Sequence, residues 1–544
     1  QNFNKIPGSP IGYWVSEKML KIYDSTSFSS DYILREGLKT GDNDRFIKLW
    51  SEISYNKINY KWFPHTKGGN IRRWYGNHEY VLNYENNGEI LKKYSGSAIT
   101  GENEYFKAYI AYGRIGSGKF SSRYTPKGFI PNMAGLSIVS KTACDESLYT
   151  ILAITNSKLF QTVLNFQNPT LNNPPGLIAS MPLLRFQKEN LPDIKINISL
   201  SRQDWDAHET SWDFQTNELI ALSQEGLGNI QASINDEPAM SYSSLELLYQ
   251  EYQSKWTTMF HQLHANEEEL NRQFIDIYGL QDELTPDVPL EEITILQQGE
   301  VKIVDGALQF QADVVIKQLI SYAIGCWMGR YRLDKPGLYI AHPNAKEEEI
   351  VTYPYGDEKL TIDDDGIIPV LPYECPFEDN LQNRIVDFVR IAFGNDSLAE
   401  NLNFVEQCLG STIEKYLDKE YWKNHKKMYQ NRPIYWLWSS KKGAFKVISY
   451  MHRMDAYTAE RVRSKYLLPY IEYLNNKIAD LESRAAQLSV SKTRKLDALR
   501  KAHTECVEYH ERLQVVAEQA IAFDLDDGVV VNYAKFGDVL AKIK

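Results

Sequence analysis

The sequence lacks the features that mark secreted, membrane-spanning and zinc-ribbon proteins. Only five cysteines occur among 544 residues, and they lie singly, without any C-x-x-C pair. They are Cys144, Cys326, Cys375, Cys408 and Cys506. This pattern argues against a zinc ribbon and favours a reducing compartment. Because no apolar run approaches the ~18 residues of a membrane span and no signal peptide is recognisable, we expect a cytoplasmic protein with no membrane partner.

The sequence also lacks a recognisable catalytic centre. The segment GRIGSGKF, residues 113–120, ends on Phe120 where a phosphate-binding loop needs a hydroxyl residue, so a basic hairpin is expected there instead. Asn173-Pro174-Pro175-Gly176 carries glycine where the tetrapeptide of amino-methyltransferases has an aromatic residue that stacks on the flipped base. We interpret it as a loop and predict no catalytic residue.

Two further groups of polar residues suggest metal binding only weakly. His261, His264 and Glu268 share one face of a predicted helix, where exposed side chains are usually solvated. The run Asp363–Asp365 before Gly366 is typical of a turn. We predict no metal site in this chain.

Charge is distributed unevenly along the chain. The formal net charge is −11, but residues 1–200 contain 24 lysines and arginines against 16 acidic residues. The remaining residues contain 36 against 55. Contact with a polyanion, if present, therefore belongs to the N-terminal part.

The most informative stretch is KWFPHTKGGNIRRWYGNHEY, residues 61–80. Cations alternate with aromatic rings and flexible turn residues, and nucleic acids offer phosphates to the former and base faces to the latter. The alternative is a Gly-Gly-Asn turn between two amphipathic strands with solvated cations. Arg72 and Arg73 are the first candidates, either as phosphate contacts or as readers of guanine.

Two further basic segments extend this prediction. Residues 35–50 contain a tight loop, Gly37 to Asp44, that could carry phosphate or base contacts. The expected hairpin at residues 113–127 adds four more cations. The predicted DNA-binding residues are Lys39, Thr40, Asn43, Lys67, Arg72, Arg73, Tyr75, Arg114, Lys119, Arg123 and Lys127.

The secondary-structure pattern predicts an α+β fold. Short strands such as EYVLNYE, EYFKAYIAY and DIKINISL fill residues 53–200, interrupted by one helix at residues 148–166. An antiparallel or mixed sheet with a packed helix is expected. From Met240 the pattern becomes helical, and residues 301–454 are expected to be mostly helical apart from a Pro/Gly/Asp-rich excursion at residues 335–379.

Two apolar seams near the C-terminus predict a long antiparallel helical hairpin. The first steps by three and four residues from Leu467 to Leu488, and the second from Leu499 to Ala520. The short Ser489–Ser491 joint favours an intramolecular hairpin over an intermolecular coiled coil, so a monomer is favoured. Pro469 is expected in the first turn of its helix.

Several long segments resemble one protein family. IPGSPIGYWVS, REGLKTGDNDRFIKLW, KWFPHTKGGNIRRWYGNHEYVLNYENNGEI, GKFSSRYTPKGFI and ITNSKLFQTVLN look like the target-recognition region of adenine-specific DNA methyltransferases. SRQDWDAHETSWDF, LHANEEELNRQFIDIYGLQDELTP, YAIGCWMGRYRLDKPGL and RPIYWLWSSKKGAFKVISYMHR are similar to the PglX-type proteins of bacteriophage-exclusion (BREX) systems. The resemblance covers nearly the whole chain.

The resemblance implies that this is the part of such a methyltransferase C-terminal to its catalytic domain. In the family, an N-terminal domain binds S-adenosylmethionine, carries N-P-P-Y and methylates adenine at N6. Neither motif is present here, so no cofactor is expected in this chain, and the chain alone is expected to transfer no methyl group. The implied partners are double-stranded DNA and other phage-defence proteins.

The resemblance also implies a division into regions. They are a linker at 1–30, a DNA target-recognition domain at 31–235, a helical spacer at 236–300, a helical domain at 301–454, the hairpin at 455–523 and a tail at 524–544. The sequence begins at Gln1 without a methionine, which favours a fragment of a longer protein. The alternatives are a standalone specificity or scaffold subunit and a pure protein-interaction module.

Overall fold

The chain folds into two compact units. A computed structural model describes residues 15–116, 119–142, 144–168, 170–232, 243–484 and 489–543. Unit 1 contains the described residues of Gln1–Trp50, Lys57–Trp212 and Gln253–Gln311, and unit 2 those of Ser51–Asn56, Asp213–Tyr252 and Ala312–Lys544. The predicted limits differ, because residues 213–235 belong to unit 2 and residues 253–300 to unit 1. The predicted α+β class is confirmed.

Unit 1 is built on two four-stranded sheets. Its strands are β1 (Tyr32–Arg35), β2 (Ile47–Leu49), β3 (Trp62–Thr66), β4 (Tyr80–Asn83), β5 (Tyr109–Gly113), β6 (Ser122–Thr125), β7 (Ile130–Pro131) and β8 (Gly135–Ser140). One sheet has the order β1-β8-β5-β6 and the other β2-β4-β3-β7. All pairs are antiparallel except β3 with β7, where His65 lies opposite Ile130. A hairpin of β9 (Val301–Val304) and β10 (Ala307–Phe310) is separate from both sheets.

The helices of unit 1 cover these sheets. They are α1 (Glu17–Lys21), α2 (Asn43–Phe46), α3 (Glu85–Lys93), α4 (Asp145–Asn156), α5 (Lys158–Gln167), α6 (Pro175–Ala179) and α7 (Leu191–Asp206). Residues 253–278 of α9 (Leu245–Tyr278) also belong to unit 1. Leu38, Phe46, Leu82 and Ile130 are among the residues of its main apolar core.

Two predictions of secondary structure in unit 1 were wrong. The single helix expected at residues 148–166 is two helices, because Ser157 caps α5 by accepting a hydrogen bond from the Phe160 backbone N–H at 3.1 Å. The strand expected at residues 193–200 lies inside α7. Pro192 stands in the first turn of α7, where its missing N–H costs nothing.

Unit 2 combines helices with a small central sheet. Its helices are α8 (Glu218–Ala232), α10 (Ala312–Trp327), α11 (Leu381–Phe393), α12 (Leu398–Leu409), α13 (Ile413–Lys419), α14 (Tyr421–Met428), α15 (Thr458–Arg461), α16 (Leu468–Ser483), α17 (Val490–Glu518) and α18 (Gly528–Ala534). Strands β13 (Ile367–Pro369), β14 (Tyr435–Ser439) and β15 (Lys446–Tyr450) form an antiparallel sheet in the order β13-β15-β14. The hairpin of β11 (Thr352–Tyr355) and β12 (Glu358–Thr361) is separate. The region expected to be mostly helical therefore contains a buried sheet.

Helices α16 and α17 pack along each other, as the two apolar seams predict. Leu499, Ala502, Cys506, Tyr509 and Leu513 are all buried along α17, and Ser489 caps its start. Residues 485 and 488 of the first seam lie outside the described residues. Pro469 stands in the first turn of α16, as expected, directly after a π-helical segment at Val462–Leu467. None of the helices that the structure describes combines the length and apolarity needed to cross a membrane.

Candidate nucleic-acid interface

The stretch of residues 61–80 is anchored in the core of unit 1. The side chains of Trp62, Trp74 and Tyr75 are 1%, 0% and 5% exposed. The indole N–H of Trp74 donates to Glu267 Oε1 at 2.7 Å, and its backbone N–H donates to the Ser122 carbonyl at 3.0 Å. These rings are therefore packed against protein, and their faces are not presented to bases.

Arg72 is held in a buried ion pair. Its Nη2 lies 2.8 Å from Asp204 Oδ2, and it also donates to the Ser201 carbonyl at 3.0 Å. Its Nε donates to the Tyr75 carbonyl at 2.6 Å, and the guanidinium lies 5.0 Å from the centre of the Trp205 ring. A single side chain thus ties the loop after β3 to α7.

Arg73 is held similarly by two acidic residues. Its Nη1 lies 2.6 Å from Glu267 Oε2 and its Nη2 lies 3.2 Å from Glu292 Oε2. Glu292 also pairs with Lys119 at 2.7 Å. Burial alone would lower the pKa of Arg73, but the two carboxylates outweigh burial and raise it.

Four of the predicted DNA-binding residues are therefore packed against protein. Arg123 is 2% exposed, donates to the Gly68 carbonyl at 3.3 Å, and has a pKa that burial lowers to about 10. With Arg72, Arg73 and Tyr75 it stabilises the loop that follows β3. Direct DNA contact by these four residues stays a prediction, and their burial argues against it.

Five other predicted residues meet at one cleft of about 530 Å³. We call it the basic cleft. It is lined by Lys39, Thr40, Gly41, Asn43, Lys67, Gly68, Gly69, Gly113, Arg114, Ile115, Asn132, Met133 and Ala134. These residues come from the loop after β1, the loops that follow β3 and β5, and the loop before β8. The fold thus brings together residues that lie up to 95 positions apart in the sequence.

Glycine shapes the floor of the basic cleft. Gly41 has a φ of +75°, and a Cβ there would lie 2.7 Å from the Gly96 carbonyl carbon. Gly69 has a φ of +133°, and a Cβ there would meet the amide of Asn77 at 2.7 Å. Both positions need glycine because other residues rarely adopt such φ values and would clash. The absence of side chains leaves room for a ligand to approach the backbone.

The cations of the basic cleft are more accessible than those of the core. Lys39 is exposed, and among the described residues none pairs with its ammonium group. The ammonium of Lys67 lies 4.9 Å from the centre of the Tyr80 ring. Arg114 Nη1 pairs with Glu36 Oε1 at 2.6 Å, with one third of its side chain exposed. Thr40 donates to the Asn43 side chain at 2.7 Å, which fixes the loop that carries Lys39.

A buried histidine positions one wall of the basic cleft. His65 lies 2.8 Å from the Ile130 carbonyl through Nδ1 and 3.0 Å from the Asn132 side-chain amide through Nε2. Burial lowers the pKa of His65 to about 4, so the ring is neutral at physiological pH. A neutral ring donates at Nδ1 and accepts at Nε2. Asn132, which sequence reasoning missed, is thereby held at the wall.

Two smaller clefts adjoin the basic cleft. One of about 300 Å³ shares Gly69, Gly113 and Ile115 with it and adds Lys119. The other, of about 280 Å³, is lined by Lys119 and by Asn168, Thr170 and Leu171. Lys127 is exposed but lines none of the three. The three clefts together form a groove along the loop that joins β5 to β6.

Positive charge is local in unit 1. Its sequence ranges contain 28 lysines and arginines against 29 acidic residues. The cationic excess of residues 1–200 is offset because residues 253–311 supply partners such as Glu267 and Glu292. An electrostatic contact must therefore depend on where the accessible cations lie, and the basic cleft is where three of them meet.

The remaining motifs have structural roles. Asn173-Pro174-Pro175-Gly176 was expected to be a loop, but it begins the short helix α6. His264 lies 2.7 Å from the Val288 carbonyl through Nε2, and Glu268 accepts from the Val288 N–H at 3.1 Å. These two residues fix the segment beside α9.

The Asp363–Asp365 run forms a turn, as expected. Asp363 Oδ1 accepts from the Gly366 N–H at 2.8 Å, and the carbonyl of Asp363 accepts from Arg453 Nη1 at 2.7 Å. Lys465 pairs with Asp365 at 3.0 Å. The three carboxylates lie within 4.8 Å of one another, and the surrounding cations offset their charge.

Comparison with known proteins identifies relatives that match almost the whole chain. The chain is 36% identical over 572 residues to the adenine-specific methyltransferase BrxX of Escherichia coli O9:H4 (strain HS). It is 35% identical over 575 residues to the adenine-specific methyltransferase PglX of Lacticaseibacillus casei (strain Zhang). These alignments cover 100% and 98% of this chain. No family model matches the chain.

The chain spans less than half the length of the two relatives, 46% of BrxX and 45% of PglX. Within that part, the identity extends along both units. The family resemblance seen in the sequence is confirmed: the chain is homologous to part of the PglX-type adenine-specific methyltransferases of BREX systems.

Proposed function

We propose that this homologue of BrxX and PglX is the DNA-recognition region of an adenine-specific methyltransferase that acts in phage exclusion. We infer that duplex DNA binds to unit 1 at the basic cleft. The observation that carries this proposal is the convergence of Lys39, Lys67 and Arg114 from three separate loops over a glycine-lined floor. Cations and approachable backbone are what a phosphate backbone requires.

The buried cations have a supporting role in this proposal. Arg72 and Arg73 hold the loop that carries Lys67 and Gly68 through their ion pairs with Asp204 and Glu267. A site built on loops needs such support because a displacement of about 1 Å weakens its contacts substantially. The segment with the strongest nucleic-acid pattern would thus contribute mainly by positioning the cleft.

Methyl transfer itself needs parts that this chain does not offer at its N-P-P motif. The side chain of Asn173 is 6% exposed, and its Oδ1 accepts from the Asn168 amide at 3.1 Å. Glycine replaces the aromatic residue that would stack on a flipped adenine. These residues do not fit a site for S-adenosylmethionine chemistry, so we propose that the full-length protein binds that cofactor elsewhere.

Binding of a fluorescent duplex tests the proposal. The variant Lys39→Gln/Lys67→Gln/Arg114→Gln should bind more weakly than the wild type and show a smaller slope of log affinity against log salt, by about one for each phosphate that the variant no longer neutralises. The matched control Lys93→Gln/Lys107→Gln/Lys141→Gln removes the same charge outside the basic cleft. Equal loss of affinity in both variants would refute a DNA site at the cleft.

A further inference from the structure

A pair of exposed aliphatic side chains stands beside the basic cleft. Ile115 is 77% exposed and Leu171 is 56% exposed, although both are large and branched. Ile115 lines both the basic cleft and its neighbour, and Leu171 lines the third cleft. Exposed aliphatic residues at the rim of a polar groove mark a surface that another molecule covers.

The backbone holds this pair in place. Residues 114–116 and 171–173 form a short antiparallel bridge centred on Ile115 and Asn172. The Gly116 N–H donates to the Leu171 carbonyl at 2.9 Å, and the Asn173 N–H donates to the Arg114 carbonyl at 2.7 Å. Exposure is therefore not the result of an unattached loop, because both residues belong to a hydrogen-bonded ribbon.

The Asn168 side chain makes the ribbon more rigid. Its amide Nδ2 donates to the Asn172 carbonyl at 2.8 Å and to Asn173 Oδ1 at 3.1 Å. Its Oδ1 accepts hydrogen bonds from the Thr170 N–H at 3.1 Å and from the Thr170 hydroxyl at 2.7 Å. The segment that carries Leu171 is thus fixed from within.

A two-stranded ribbon that carries apolar tips between cations matches the major groove of DNA. That groove is about 12 Å wide and admits such a ribbon, and its apolar feature is the 5-methyl group of thymine. A site that contains adenine always presents a thymine methyl on the opposite strand. Arg114, on the same ribbon, and Lys119, beside it, supply charge for the flanking phosphates.

We propose that Ile115 and Leu171 read sequence by packing against thymine methyl groups in the major groove. This inference rests on the proposed function, since it takes duplex DNA as the molecule in the groove. It assigns the apolar tips to base recognition and the cations around them to the phosphate backbone. Specificity then depends on a contact without any hydrogen bond.

Replacement of thymine by deoxyuridine tests the contact, because it removes only the methyl group. A duplex pool with a random core is first enriched by repeated capture on the wild-type chain and then re-amplified with either nucleotide. The wild type should bind the deoxyuridine pool about fourfold more weakly for each methyl group removed from the interface. Ile115→Ala/Leu171→Ala should bind the two pools equally, whereas the control Ile196→Ala, which removes an exposed aliphatic side chain of α7, should discriminate as the wild type does.

The outcomes separate this inference from the proposed function. Equal binding of both pools by the wild type, or unchanged discrimination in the double variant, would overturn the methyl contact and leave DNA binding standing. A rise in 2-aminopurine fluorescence that depends on Ile115 would indicate insertion between bases and would also overturn it. If the wild type bound neither pool, the proposed function would fail, and this inference with it.

Discussion

Arg72 and Asp204 form an ion pair with 2.8 Å between Nη2 and Oδ2, and their side chains are only 6% and 1% exposed. The other oxygen of Asp204 accepts a hydrogen bond from the Leu296 N–H at 2.7 Å. One carboxylate therefore joins three segments of unit 1 that are far apart in the sequence. The loop beside the basic cleft depends on this junction.

Loss of the Asp204 charge should destabilise unit 1 strongly. Removal of one partner of a buried ion pair leaves the other charge without compensation, which costs ~3–5 kcal/mol of unfolding free energy. We expect this loss for Asp204→Asn in urea unfolding. The control Glu89→Gln neutralises a carboxylate of an exposed pair with Lys93 and should cost less than ~1 kcal/mol. Similar losses in both variants would contradict the structural role given to Arg72.

The pair of His208 and Glu300 should make stability depend on alkaline pH. His208 Nε2 lies 2.6 Å from Glu300 Oε1. Burial alone would lower the pKa of His208, but the Glu300 carboxylate and its hydrogen bond outweigh burial and raise it to about 9. A raised pKa means that the folded state holds the proton more tightly than the unfolded state does.

The stabilisation is then complete below the unfolded pKa of about 6.5 and is lost as the pH rises through about 9. The melting temperature of the wild type should fall across this window, whereas that of His208→Gln should fall much less. Parallel pH profiles of the two proteins would show that the pair does not titrate in this way.

The two arms of the C-terminal hairpin should differ in sensitivity along their length. Leu474 is 0% exposed, whereas Leu481, further along the same seam, is half-buried. Leu474→Asp places a carboxylate in a dry site and should lower the unfolding free energy by several kcal/mol. Leu481→Asp serves as the matched control and should cost clearly less. Equal effects would indicate that the distal hairpin is covered by another molecule.

The chain alone should transfer no methyl group. Incubation with labelled S-adenosylmethionine and unmethylated DNA should give only background incorporation, because Asn173 is engaged and glycine stands at position 176. A known adenine methyltransferase, assayed in parallel, controls for the substrate. Incorporation above the heat-inactivated chain would refute this expectation.

The sequence predicted elements well where a single periodicity prevailed. The α17 seam is buried at Leu499, Cys506 and Leu513 as its three-four spacing requires. In α7, by contrast, isoleucines alternate at positions 194, 196 and 198 and imitate a strand. The helix buries Ile194 with the polar Asn197, Ser201 and Asp204, and no apolar pattern marks that face. Its polarity exists to meet Arg72, which is a tertiary fact.

The candidate site was predictable in composition but not in accessibility. The glycine-rich loops and the cations at positions 39, 67 and 114 signalled anion contact, and the structure places them at one cleft. The spacing of Arg72 and Arg73 could not reveal that their carboxylate partners come from α7, α9 and residue 292. Asn132 and Ile115 carry no local signal at all, because only the folded loops bring them to the groove.

Lysine footprinting tests the location of the DNA site most directly. The wild-type chain is acetylated with and without a duplex pool, and the modification of each lysine is measured by mass spectrometry. We predict that DNA protects Lys39 and Lys67 severalfold, while Lys93 and Lys107, which lie outside the basic cleft, react as in the free chain. Unchanged reactivity of Lys39 in the presence of saturating DNA, with protection elsewhere, would contradict the basic cleft as the DNA-binding site.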